Sequence, residues 1–173
     1  MWQRLTRLLK HRWQNDNAAE QAIPSATLAR LTARVAHSES CHSGEIRIYI
    51  EAALPTSYLW QDRPMPEITR QRALAMFGKL RVWDTEHNNG VLIYLLLVEK
   101  RLEIVADRGL NARVDADTWT RLAASMSSAF KSQDYEAGLS LAVQEVNHLL
   151  QQHFPLAQHQ QNPNELPNEP VLG

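Results

Sequence analysis

The sequence predicts an α/β domain with a small mixed central sheet, a βαβ crossover followed by an antiparallel hairpin. Three observations predict it. Val91 to Val98 is an unbroken apolar run opened by Asn88-Asn89-Gly90, the pattern of a strand buried on both faces. Arg101 to Ala106 follows after only Glu99-Lys100, a spacer short enough for a hairpin. Glu45 to Glu51 alternates, with Ile46, Ile48 and Ile50 on one face, and a helical stretch separates it from Val91. Strand, helix, strand makes a crossover, so these two strands should lie parallel.

The elements follow in chain order. Trp2, Leu5, Leu9 and Trp13 recur at helical spacing, and the rest of residues 1–13 carries four basic residues and no acid. Two readings stay open for this helix. It lies on an anionic membrane or in a partner's groove, or it packs its tryptophan stripe on the domain's own surface. Residues 1–22 are therefore set apart as a basic amphipathic helix and polar linker. The α/β domain is assigned to residues 23–154. It opens with Pro24 at a helix start, a stripe of Leu28, Leu31 and Val35, and Gly44 as a stop. Residues 52–66, with three prolines, read as a loop, and Leu74, Phe77 and Leu80 mark the crossover helix. After the hairpin, Trp119, Leu122, Met126 and Phe130 stripe one helix, with Asp115 or Asp117 as its cap. Leu139, Val143, Val146 and Leu150 stripe the last, preceded by Asp134. Residues 155–173, rich in Gln, Asn and Pro, are expected to be a disordered tail.

A chain of 173 residues is long enough for one domain with a real core. Its 18 basic and 19 acidic residues give a charge of −1, which argues against nucleic-acid binding. Cys41 is the single cysteine, so neither an internal disulfide nor a thiolate metal cage can form. The longest apolar run is far short of the roughly 18 residues of a membrane span, and no secretory signal is visible. A cytoplasmic location, peripheral to the inner membrane through residues 1–13, is the expectation.

The predicted threading brings several polar groups to one corner. His42, Ser43 and Glu45 begin the first strand; Asp84, Glu86, His87, Asn88 and Asn89 precede the second; Asp107 and Arg108 end the third. The chain then runs through Asn111 and Arg113 to Asp115 and Asp117 at a helix start. Such a gathering of oxygens suits a hard cation, and Arg108 beside a helix N-terminus suits an anion. The plainer alternative is a turn at Asn-Asn-Gly, a helix cap at Asp115 and a surface pair at Asp107–Arg108. The sequence lacks GxSxG, P-loop, GxGxxG and HExxH signatures. His37 and His42, like His148 and His153, are five apart and share no metal spacing, and Cys41 has no third orienting group.

Ser43-Gly44-Glu45-Ile46, Ala75-Met76-Phe77, Asn88-Asn89-Gly90-Val91-Leu92, Arg101 with Ile104-Val105 and Gly109-Leu110, and Asp134-Tyr135 with Gly138-Leu139 together resemble the TPM domain. The likeness spans roughly residues 24 to 154. It implies a three-layer α/β/α sandwich. Relatives include thylakoid-lumen proteins of photosystem II repair, bacterial envelope proteins and accessory subunits of membrane receptors. For some members it implies acid phosphatase activity and divalent-cation binding by acids near the Asn-Asn-Gly turn. Carried over, Ca2+ or Mg2+ would be held by Asp84, Glu86, Asn88, Asn89, Asp107 and Asp115, with Arg108 facing phosphate. Asn111 stands where an acid commonly follows Gly-Leu, and His87 stands before Asn-Asn-Gly. The leading expectation is thus a non-enzymatic accessory module binding a protein partner, itself a membrane protein or near one, through Trp2, Leu5, Leu9 and Trp13. A divalent-cation-dependent phosphatase is the alternative.

Overall fold

In chain order the elements are α1 (Trp2–Arg12), α2 (Ala18–Ala22), α3 (Ser25–Glu39), β1 (Ile46–Glu51), α4 (Thr56–Leu59) and α5 (Met65–Lys79). Then come β2 (Val91–Leu96), β3 (Arg101–Ala106), α6 (Arg108–Asn111), α7 (Ala116–Ser125), α8 (Ser127–Lys131), α9 (Tyr135–His153) and β4 (Val171–Leu172). The structure is a computed structural model describing residues 2–14, 17–157 and 160–173, apart from the side chains of residues 2–4 and 127. Trp2, expected on the contact face, has its side chain outside the described atoms.

The sheet order is β3-β2-β1-β4. β1 and β2 are parallel with Ile46 opposite Val91, and β2 and β3 antiparallel with Leu96 opposite Arg101. Ile46, Ile48, Ile50, Ile93 and Leu95 pack against α3 and α9 through Leu31, Val35, Leu139, Val143 and Leu150. Tyr49, Leu92, Tyr94 and Leu96 pack the other way, against Leu59, Ile68, Ala73 and Met76 of α4 and α5. The result is a three-layer α/β/α sandwich, in which each fully buried Ile or Leu contributes roughly 1.5–3 kcal/mol.

Local geometry departs from expectation in instructive places. The hairpin loop is four residues, Leu97 to Lys100, closed by the Lys100 N–H on the Leu97 carbonyl at 2.9 Å with Lys100 at φ 50. The helix expected over 115–130 breaks at Met126 into α7 and α8. Gly44 is not the helix stop, since α3 ends at Glu39; a Cβ there would sit 2.5 Å from Leu150 Cδ2. At Asn-Asn-Gly the left-handed residue is Asn88, at φ 52, while Gly90 is needed because a Cβ would lie 2.0 Å from the Val82 carbonyl oxygen.

The expectation of a disordered tail over 155–173 does not hold for residues 160–173. Residues 160–173 form a strap across the β1 edge, ending in β4, which pairs parallel with β1 at Tyr49 and Ile50. Polar bonds replace the missing apolar burial. Asn162 Nδ2 donates to the carbonyls of His42 and Gly44 at 3.1 and 3.2 Å, and Arg47 holds the carbonyls of Pro167 and Glu169. Leu166 alone in the strap's middle enters the core, at 8% exposure.

Candidate functional site

The polar corner forms where the threading puts it. The Asp107 N–H donates to the Gly90 carbonyl at 2.9 Å, and the Gly109 N–H to the Asn88 carbonyl at 2.9 Å, so the 84–90 and 107–115 loops are neighbours. Arg108 Nε donates to Asn88 Oδ1 at 2.8 Å. Asn89 is fully buried, its Nδ2 donating to the Ser43 carbonyl at 3.0 Å while its N–H donates to Thr85 Oγ1 at 3.1 Å. Asn88, Asn89, Asp107 and Arg108 are thus brought together.

Asp84 and Asp115 are committed elsewhere. Asp84 is paired with Arg81, three residues before it. Asp115 caps α7, accepting from the Thr118 N–H at 3.0 Å and hydroxyl at 2.9 Å, bonds that hold its carboxyl below the usual range. Glu86 is exposed, and its N–H donates to the Glu165 carboxylate. Asn111, in the position the resemblance leads one to expect an acid, donates Nδ2 to the Ala106 carbonyl at 2.6 Å. Among the described residues no three His, Cys, Asp or Glu side chains are grouped to hold a metal. Two buried acceptors do lack partners, Asn89 Oδ1 and Asp107 Oδ2; the other Asp107 oxygen accepts from the Arg108 N–H at 2.7 Å. One carboxylate and one amide do not fit a calcium cage, which needs six to eight oxygens and whose affinity follows ligand charge.

Beneath the strap lies a cluster that the sequence reading missed. Glu39, Glu45 and Arg47 are buried at 3%, 0% and 6% exposure. Glu39 Oε1 accepts from the Ile46 N–H at 2.9 Å, and Glu45 Oε2 from the Leu166 N–H at 3.0 Å. Burial, above all, pushes the Glu39 carboxyl up to about 8, with the Glu45 charge adding to it. His42, fully buried, accepts from the Gly44 N–H on Nδ1 and meets Ser38 Oγ through Nε2 at 2.9 Å, and burial holds its pKa down to about 4. Ser38 Oγ in turn donates to Asn147, so His42 is the neutral Nε2–H tautomer. These groups tie strap to sheet, and Glu39 also lines a cleft of about 340 Å³ between α3 and the strap, with Asn162 and Asn164 on its far side.

α1 settles its own orientation. It docks by its polar face: His11, 3% exposed, accepts from the Leu54 N–H on Nδ1 at 3.0 Å and meets Glu99 through Nε2 at 3.0 Å. Lys10 joins Glu99 at 2.9 Å, and Arg7 holds the carbonyls of Gln61 and Arg63. Leu8 is the apolar residue that meets the core. The stripe of Leu5, Leu9 and Trp13 faces outward at 48%, 62% and 88% exposure, with exposed Trp60 beside Gln61. The second sequence alternative, a stripe packed on the domain, does not hold for these three residues.

The layer order and the Asn-Asn-Gly corner define an α/β/α sandwich of a recognisable class. The TPM domain model matches residues 16–149, and the chain belongs to the TPM domain family. It is similar to the BA42 protein of the psychrophilic bacterium Bizionia argentinensis, solved by NMR. That match has 26% identity and a TM-score of 0.73, covering 87% of this chain and 95% of that one. The N-terminal domain of a P. gingivalis protein shares the fold at 22% identity and TM-score 0.54, over 77% of this chain and 81% of that one. No curated protein matches the sequence.

Proposed function

We propose that this TPM domain is a non-catalytic accessory module of a membrane-associated protein complex, held at the bilayer surface by α1. The observation that carries the reading is the outward stripe of Leu5, Leu9 and Trp13 on a helix with no acid. Arg7 and Lys10 are bonded to the domain, but the exposed apolar stripe with exposed Arg12 next to Trp13 is suited to an anionic interface, where such a charge adds about 1 kcal/mol. No helix among the described residues is long and apolar enough to cross a membrane, so contact by this route is peripheral. The commitment of Asp84 and Asp115 to Arg81 and Thr118 supports the non-catalytic part. Co-sedimentation with phosphatidylserine-containing vesicles tests it. The full chain should pellet with vesicles, and Leu9→Ser/Trp13→Ser should stay in the supernatant. Equal pelleting of the two would remove the membrane clause.

A second reading, a divalent-cation-dependent acid phosphatase, is favoured by the two unpartnered buried oxygens, Asn89 Oδ1 and Asp107 Oδ2. These residues would hold a largely hydrated Mg2+, since that ion accepts one or two carboxylates with waters. Turnover of an aryl phosphate that depends on magnesium and disappears in Asp107→Asn would establish it.

A further inference from the structure

The sheet has one covered and one open edge. The strap covers β1, whereas among the described residues nothing pairs with the outer side of β3. The register fixes which backbone groups point outward there. Asp107 bonds to Gly90 and Leu92 lies opposite Val105, so Val105 and Glu103 face β2. Leu102, Ile104 and Ala106 therefore turn their N–H and C=O groups to the open side. Two of those carbonyls are taken: Ile104 by Arg70 Nη1 at 2.5 Å, and Ala106 by Asn111 Nδ2. The N–H groups of Leu102 and Ile104 carry no hydrogen bond to another described residue.

This edge is the floor of a groove of about 1290 Å³ walled by α5 on one side and by α7 and α8 on the other. On its α7 wall the Trp119 Nε1–H is buried without an acceptor. The groove is basic although the chain is not: Arg63, Arg70, Lys100, Arg101 and Lys131 line it against three acids. Glu99 is paired by Lys10 from outside the lining and Glu103 shares Arg101 and Arg70, so Arg63, Lys100 and Lys131 against Glu67 leave the groove with a net positive charge. Unsatisfied outward N–H groups on an edge strand are a template for another extended chain. The surplus positive charge says which chain.

We propose that the outer edge of β3 docks an extended acidic segment of a protein partner, which adds as a fifth strand between α5 and α7. Its carbonyls accept from the Leu102 and Ile104 N–H groups, and its carboxylates meet Arg101, Lys131 and the Arg70 guanidinium. The Arg70 bond to Ile104 blunts the edge until such a segment arrives. This proposal rests on the accessory-module reading and names the partner's binding surface, which is separate from the membrane face of α1.

A displayed library of unstructured peptides panned on the full chain, with recovered peptides resynthesised, tests it. Acid-rich peptides should be recovered. They should slow amide exchange at Leu102 and Ile104 and shift the Trp119 indole N–H signal. Arg101→Glu/Lys131→Glu should weaken binding about tenfold or more, equivalent to roughly 1.4 kcal/mol. Trp119→Phe should weaken it less, and Leu9→Ser/Trp13→Ser should leave it unchanged. Recovery of no peptide that protects Leu102 and Ile104, or binding indifferent to the charge reversal, overturns the proposal. So does concentration-dependent protection of those amides without peptide, which would make a second copy of the chain the occupant. If peptide docking fails while vesicle binding through α1 persists, the docking surface is lost and the accessory reading stands.

Discussion

Leu166 donates its backbone N–H to the buried carboxylate of Glu45 at 3.0 Å, joining residues 121 apart in sequence. That bond, Arg47 beneath Pro167 and Glu169, the Asn162 bonds to His42 and Gly44 and the pairing of β4 with β1 together hold the strap on the β1 edge. Glu45→Ala should lose about 1–3 kcal/mol, since Leu166 N–H is left buried without an acceptor. Glu45→Gln, which keeps an acceptor, should lose less. Urea unfolding of the two variants checks the order, and equal losses would show that the bond does not hold the strap.

The strap cluster gives stability two opposed pH dependences. Glu39 is raised from 4.5 to about 8, so between those values the folded state keeps a proton the unfolded state has released. Its contribution is full below 4.5 and is lost as pH rises through 8. His42 is lowered from 6.5 to about 4, so its contribution is full above 6.5 and is lost as pH falls through 4. Urea midpoints across pH 4 to 8 should lose their alkaline decline in Glu39→Gln and part of their acid decline in His42→Asn. Parallel profiles for wild type and both variants would contradict this.

On the opposite face Glu51 is gripped by Arg72 through Nε and Nη2, the latter at 2.6 Å, and by the Tyr94 hydroxyl at 2.6 Å. Arg72→Ala strands a carboxylate that is 3% exposed, and should cost about 3–5 kcal/mol. Arg72→Ala/Glu51→Gln should recover much of that loss. Thermal unfolding reads both, and a mild effect of Arg72→Ala would mean the pair is solvated.

Two glycines should respond oppositely to alanine. A Cβ at Gly90 meets the Val82 carbonyl oxygen at 2.0 Å, a backbone atom, and overpacking there should cost about 1–3 kcal/mol or more. A Cβ at Gly78 meets nothing within 4 Å, so within α5 the change should stabilise by about 0.5–1 kcal/mol. Denaturant midpoints of the two variants should move in opposite directions.

What the sequence reveals here is what local periodicity controls. Ile46, Ile48 and Ile50 announce β1, the run from Val91 announces β2, and the crossover and hairpin then place Asn88 beside Arg108. The commitments of Asp84 and Asp115 are less legible, because Arg81 and Thr118, each three residues away, compete locally for the same oxygens that a cation would use. The tail was unreadable for a different reason. Asn162 and Leu166 are ordered by partners about 120 residues away, and no composition rule sees Glu45 waiting for them. α1 inverts the usual inference from an amphipathic stripe: His11 and Leu8 go inward, while Leu9 and Trp13 stay out.

Thermal unfolding of the full chain with millimolar calcium or magnesium, paired with an aryl phosphate assay, tests most directly whether this TPM domain works as a binding module rather than an enzyme. A corner that serves only to clasp two loops predicts an unchanged Tm and no turnover. A cation at a hundredfold excess over its Kd would stabilise by about 2.7 kcal/mol, a rise of several degrees. Such a rise, abolished by Asp107→Asn and accompanied by turnover, would contradict the non-catalytic reading.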